Sequence, residues 1–177
     1  MPVTLINYVA GMQFVDSVYL DSNLLVYARD RGSIKYRIAS LLLADLFTNR
    51  TNLIITDLVI DEIAWAFLKV YYRMDNRKEL KYSILKKNPY IIGKYHWRIS
   101  SNIKKILNFP RLTIASDLVP SMNIVKKAIN LMKTQLLMPR DAFHLAFIIN
   151  LNLGGIITSN GDFDNLNMRK NLIVYKY

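Results

Sequence analysis

Ser17-Val18-Tyr19-Leu20-Asp21-Ser22-Asn23 is the stretch whose reading decides the fold. A short β-branched and aromatic run predicts a strand over Ser17–Leu20, and the polar residues Asp21, Ser22 and Asn23 that end it can cap a helix. Working outward, apolar residues recur at helical spacing through Ile38, Leu41, Leu42 and Leu46. Leu53-Ile54-Ile55 predicts a second strand, and Thr56 caps a helix holding Glu62, Trp65, Ala66 and Lys69. Arg111 to Ala115 reads as a third strand, and Pro120 opens a helix that runs through Met132. Pro139 starts a helix from Arg140 to about Asn150, and Gly154-Gly155 turn the chain into a strand at Ile156-Ile157. A last strand covers Leu172 to Tyr175. Strands alternating with helices are the signature of βαβ units and a parallel sheet, so the predicted fold class is α/β. Residues 1–16 are apolar but unpatterned and receive no element. No repeat, low-complexity tract or linker divides the chain, which predicts one domain over residues 1–177.

Composition narrows the function classes. Of 177 residues, 52% are hydrophobic and 21% charged, which excludes disorder as the default state. There is no cysteine, which excludes disulfides, zinc–thiolate sites and cysteine nucleophiles and suits a cytoplasmic setting. The first basic residue is Arg29, so the start lacks the charged leader of a secretory signal. Ala142 to Gly161 carries no charged residue, yet His144, Asn150, Asn152 and Gly154-Gly155 interrupt it. A lipid-facing helix would bear those residues at high cost, so a buried helix, turn and strand are expected and no membrane partner.

Charge is distributed unevenly. The chain is formally +11, and eleven Lys and Arg between Arg73 and Arg111 face only Asp75 and Glu79. That segment, about 73–111, reads as two or more helices broken near Asn88-Pro89 and Ile92-Gly93. A concentrated basic surface suits a polyanion, because each neutralised phosphate releases counterions. A solvated helical face is the plainer alternative.

The thirteen acids are placed more tellingly. In open parallel sheets the functional crevice lies beyond the carboxyl ends of the strands. Asp21 follows the first strand, Asp162 and Asp164 follow Ile156-Ile157, Glu62 lies on the helix leaving the second strand, and Asp141 sits in the first turn of its helix. Carboxylates converging on one rim repel one another, and hard divalent cations with oxygen ligands relieve that repulsion. Each residue also has a plainer reading. Asp21 can be a helix cap, Asp141 can complement a helix dipole, and Asp57 and Asp61 can face solvent. His144, one turn after Asp141, reads as a packed or orienting residue.

Four segments carry a family resemblance: Val18-Tyr19-Leu20-Asp21-Ser22-Asn23, Thr56 with Glu62 six residues on, Asp141-Ala142-Phe143-His144-Leu145-Ala146, and Ile157-Thr158-Ser159-Asn160-Gly161-Asp162-Phe163. In this order, over residues 18–163, they resemble the PIN-domain ribonucleases. The resemblance implies an α/β/α sandwich with a central, mostly parallel, five-stranded sheet, and Mg²⁺ or Mn²⁺ on the acidic cluster. It implies that Asp21, Glu62 and Asp141 are the principal acids, that Asn23 supports Asp21, and that Thr158 hydrogen-bonds within the metal site. Where the family commonly has Asp, two residues after the Thr, this chain has Asn160; Asp162 then supplies the charge and Asn160 a carbonyl oxygen, with one or two metals left open.

Many family members of this size are toxins that cut RNA and are silenced by a small antitoxin, while others act in RNA maturation or decay. The basic helical insertion at about 73–111 lies outside the resemblance. Its Lys86, Lys87, Lys94, Arg98, Lys104 and Lys105 are candidate contacts to single-stranded or structured RNA, and Tyr71, Tyr72, Tyr82, Tyr90, Tyr95 and Trp97 can stack on bases or pack inward. A catalytically silent RNA-binding or assembly module is the alternative. A hydrolase working through an aspartyl phosphate ranks last, because it wants a second Asp where Asn23 stands. The apolar helices leave a homodimer open.

Overall fold

The computed structural model describes residues 2–168 and 171–177. Six strands form one sheet: β1 (Thr4–Asn7), β2 (Ser17–Leu20), β3 (Asn52–Ile55), β4 (Leu112–Ile114), β5 (Gly155–Ile157) and β6 (Ile173–Lys176). Their order is β1-β6-β5-β2-β3-β4, and every neighbouring pair is parallel. The expectation of five strands is therefore corrected to six, and "mostly parallel" becomes all-parallel among the described strands. The added strand lies in the segment that carried no pattern. β1 occupies a sheet edge and is largely exposed, so it needs no apolar alternation to hold its place.

Among the described residues, seven α-helices connect and cover the strands: α1 (Ser22–Tyr27), α2 (Tyr36–Thr48), α3 (Asp57–Asn76), α4 (Tyr82–Lys87), α5 (Tyr90–Leu107), α6 (Ser121–Gln135) and α7 (Pro139–Asn150). The central strands are buried on both faces, which is why Val18, Leu20, Leu53, Ile55, Ile156 and Ile157 read as near-continuous apolar runs. Each such side chain contributes about 1.5–3 kcal/mol by leaving water. One core cluster joins these strands to Leu24 and Leu25 of α1, Leu42 and Leu46 of α2, Phe67 of α3, and Leu145 and Ile148 of α7.

Gly155 is needed inside β5, because a Cβ there would stand 2.9 Å from the Tyr175 ring. The break at Asn88-Pro89 separates α4 from α5, but the one expected at Ile92-Gly93 is absent. Gly93 costs the helix about 1 kcal/mol relative to alanine, and α5 is held regardless by Ile91, Tyr95 and Ile106, which are buried in the core cluster. No helix among the described residues is long and apolar enough to cross a membrane.

Candidate active site

Parallel pairing carries Asp21 to the carboxyl end of the sheet. β2 lies between β3 and β5, and the Asp21 backbone N–H continues the ladder by donating to the Ile157 carbonyl at 3.1 Å. Asp21 and Thr56 occupy the positions that precede α1 and α3, yet neither side chain caps its helix. Both are turned into a polar network instead.

Asp21 is buried and held from three directions. Its Oδ2 accepts from Thr158 Oγ1 at 2.6 Å and from Asn23 Nδ2 at 3.2 Å, while Oδ1 accepts from Ser22 Oγ at 3.2 Å. The fully buried Thr158 hydroxyl also accepts from the Asn160 backbone N–H at 2.9 Å. Hydrogen bonds to a charged group contribute roughly 1.5–3 kcal/mol each, so the carboxylate is fixed in place rather than free to swing.

Glu62 anchors a second chain of contacts. Its Oε2 lies 3.3 Å from His144 Nε2, and its Oε1 lies 3.7 Å from Arg140 Nη1. A carboxylate only accepts, so Nε2 of His144 carries a proton. On the other side of the ring, Nδ1 lies 2.7 Å from the Tyr19 hydroxyl, which in turn lies 2.8 Å from Thr56 Oγ1. All three inner members, Tyr19, Thr56 and His144, are buried. Burial pushes the Tyr19 hydroxyl far above its ordinary range, which keeps it protonated. The orienting role expected of His144 thus has a geometry: its ring sits between Tyr19 and Glu62.

Asp141 completes the rim from the first turn of α7. Burial raises its carboxyl above the usual carboxylate range, and the charges of Asp162, Asp21 and Glu62 raise it further against an opposing pull from His144. Burial would also raise Glu62, but the hydrogen bond and charge of His144, a hydrogen bond from Ser22 and the charge of Arg140 outweigh it, and its carboxyl is held low. Asn160 faces both neighbours: its Nδ2 donates to Asp141 Oδ1 at 3.4 Å and its Oδ1 accepts from the Asp162 backbone N–H at 3.2 Å. Asp162 is exposed, whereas Asp164 pairs with Lys176 at 2.8 Å. Lys176 also donates to the Asn160 carbonyl.

The donor set fits a hard divalent cation. Asp141 carries a repulsion that an ion would relieve, and Asp21 and Asp141 retain oxygen lone pairs beyond the bonds they accept. Among the described residues, no group of three His, Asp or Glu is arranged to hold one ion.

A cleft of mixed charge adjoins this rim at Asn23, with Lys69 and Arg73 set against Asp30 and Glu79 and Arg73 paired to Asp30 at 3.4 Å. A cavity of about 330 Å³ between α1 and α3 is lined by Asn23, Tyr27, Lys69 and Arg73. It shares Asp30, Val70 and Arg73 with a larger one of about 610 Å³, lined by Arg29, Arg31, Tyr36 and Tyr71. The candidate RNA-binding cations farther along divide into two groups. Lys94 and Arg98 both pair with Asp75, and Arg98 lies 4.1 Å above the Tyr71 ring. Lys86, Lys87, Lys104 and Lys105 are exposed and make no ion pair with a described residue. Tyr71 and Tyr95 pack inward, while Tyr82, Tyr90 and Trp97 remain outside.

A family model described as PIN domain matches residues 18–167. The chain belongs to the PIN-domain family. PIN domains are generally nucleases, and the match spans all four motifs as well as the basic segment. A search of the curated proteins finds none that matches. Among solved structures, the chain is similar to one in VapBC2 from Rickettsia felis bound to a DNA fragment from their promoter. The likeness has a TM-score of 0.50 and 16% identity, and covers 90% of this chain and 98% of that one. It shows a shared PIN fold. Sequence reasoning missed four residues of this site. Arg140, Tyr19, Ser22 and Lys176 acquire partners only through the fold, and none has a residue type that signals metal chemistry.

Proposed function

We propose that this PIN protein is a Mg²⁺- or Mn²⁺-dependent endoribonuclease, a single domain acting as the toxin of a toxin–antitoxin pair in the cytoplasm. The observation that carries this reading is the convergence of three distant segments on one rim, where Thr158 holds Asp21, Asn160 links Thr158 to Asp141, and His144 of the Asp141 helix holds Glu62. In the proposed site Asp21, Glu62, Asp141 and Asp162 are the catalytic acids, and the metal is held by these with the Asn160 oxygen. When bound, the ion supplies an activated water and charge stabilisation at the scissile phosphate.

The chain's own residues supply the rest. Thr158, Asn23 and Ser22 fix the Asp21 carboxylate. His144, itself oriented by Tyr19, fixes Glu62. Arg29 and Arg31, which line the larger cleft, offer cations to the phosphates of an RNA strand, and Lys86, Lys87, Lys104 and Lys105 extend that attraction along α4 and α5. Lys94 and Arg98 act there indirectly, by tying α5 to α3 through Asp75.

The test is cleavage of a labelled RNA mixture by the wild type and Asp21→Asn. Cut product in Mn²⁺, absent in EDTA and in the variant, supports the reading. Equal cleavage in EDTA, or full activity of Asp21→Asn, refutes it. A second reading, a silent RNA-binding or assembly module, draws on Asn160, whose amide already faces Asp141 where the family commonly has an acid. Salt-dependent RNA binding without cut product, in either Mg²⁺ or Mn²⁺, would favour it.

A further inference from the structure

The outer face of α5 holds two features that packing does not explain. Trp97 is 69% exposed, and Gly93, one turn before it, has nothing within 4 Å of where a Cβ would stand. Glycine weakens a helix interior, and no close approach requires it here. A long side chain on a helix reaches back over the preceding turn, so the indole reaches toward Gly93, which has no side chain to cover it. On the following turn Ser100 and Ser101 are short. The neighbours along the helix therefore leave the ring open to a flat ligand.

What borders the ring is polar and cationic. A shallow cavity of about 460 Å³ joins Trp97 to Ser100, Ser101, Lys104, Lys105 and Asn108. Tyr90, Trp97 and Lys104 follow one another at intervals of about two turns, which sets them on one stripe of the helix, and Tyr90 is exposed as well. The helix carries no Asp or Glu, and the exposed Lys104 and Lys105 make no ion pair with a described residue. A lipid surface calls for a stripe of several apolar residues, whereas here the hydroxyls, an amide and the cations close in on one indole. A single-stranded nucleic acid supplies both complements, a base for the ring and phosphates for the lysines. A duplex supplies only the phosphates, because its bases are stacked on one another.

We propose that Trp97 is a stacking platform on which α5 holds an unpaired base of the RNA, with Lys104 and Lys105 on the phosphates beside it. The platform shares no lining residue with the acidic rim, so it is a contact apart from the cleavage site. The proposal rests on the RNA reading above and narrows it to strands that present unpaired bases.

Its test measures binding in EDTA, where cleavage does not enter. The probes are a fluorescent single-stranded oligouridylate of about ten nucleotides and its duplex with oligoadenylate. Trp97→Ala, an exposed change to a good helix former, should weaken the single strand about tenfold, and Trp97→Phe should recover most of the loss. Duplex affinity should hold in both variants. The salt slope for the single strand should also hold, because stacking releases no counterions. Trp97→Ala that binds the single strand as tightly as the wild type, or that weakens the duplex equally, overturns the proposal. So does a wild-type protein that binds no single strand, a wild-type dimer that Trp97→Ala converts to monomer by sedimentation, or Trp97-dependent binding to anionic lipid vesicles. None of these outcomes bears on cleavage by the acidic rim, so the platform and the nuclease reading fail separately.

Discussion

The rim at the strand ends and the α4–α5 segment are both rich in charge, yet they handle it in opposite ways. At the rim, the Asp21 and Glu62 carboxylates are sunk into the protein and each is gripped by several partners. On α5 the cations that touch anything are taken up by Asp75 and the Tyr71 ring, and the remaining lysines point into solvent. Position therefore matters to within a few tenths of an ångström at the rim, because preorganised groups act through geometry. Along the helices only the sum of charge matters, because exposed ions act through a screened field.

Substitutions should expose this difference. Glu62→Gln removes a carboxylate charge and leaves the shape, and it should lower RNA cleavage about 100-fold or more, read as single-turnover rate. Thr158→Val touches no substrate, yet it frees the Asp21 carboxylate from its shortest bond. It should cost about 10–100-fold in metal affinity or activity, the usual effect of removing an outer hydrogen bond to a ligand, and Thr158→Ser should restore most of it. Lys104→Ala with Lys105→Ala should leave the cleavage rate of bound RNA unchanged. The slope of log affinity against log salt should shrink by about 0.7 for each phosphate of single-stranded RNA that the two lysines had neutralised. An unchanged slope would remove α5 from the RNA path.

The smallest effect concerns stability in metal-free protein, where the two acids should behave oppositely. The Asp141 carboxyl is raised, so its contribution favours the fold fully below the ordinary value of 3.8 and is lost as pH rises through the folded value. Asp141→Asn should then melt above the wild type at neutral pH, with the gap closing in acid. The Glu62 carboxyl is lowered, so its contribution is present above 4.5 and lost as pH falls through the folded value. Glu62→Gln should melt below the wild type at neutral pH. Thermal unfolding across pH distinguishes the two directions.

How much of this was legible in the sequence follows from what each residue's neighbours are. The strands β2, β3 and β5 announce themselves because both faces are buried, so local composition carries the signal. β1 is silent because an exposed edge strand is fixed by its pairing with β6. Asp21, Glu62, Asp141 and Thr158 are recognisable in motif order, and the fold brings them to one rim. Arg140 and Tyr19 are not, since one looks like a surface cation and the other like core until Glu62 and His144 arrive beside them. Among the candidate cations, sequence could not separate Arg98, which packs on Tyr71, from Lys104, which is exposed and makes no ion pair with a described residue. Helical spacing names a face but not what lies opposite it.

The central claim is that Asp21 is a corner of a divalent-metal site, and Mn²⁺ binding read by electron paramagnetic resonance tests it without needing the RNA. Wild-type protein should bind Mn²⁺ saturably, and at 100 times the dissociation constant the ion should stabilise the fold by about 2.7 kcal/mol. Asp21→Asn should lose both the binding and the stabilisation while keeping its circular dichroism spectrum. Wild-type protein that binds no Mn²⁺, or an Asp21→Asn variant that binds it equally well, would contradict the account.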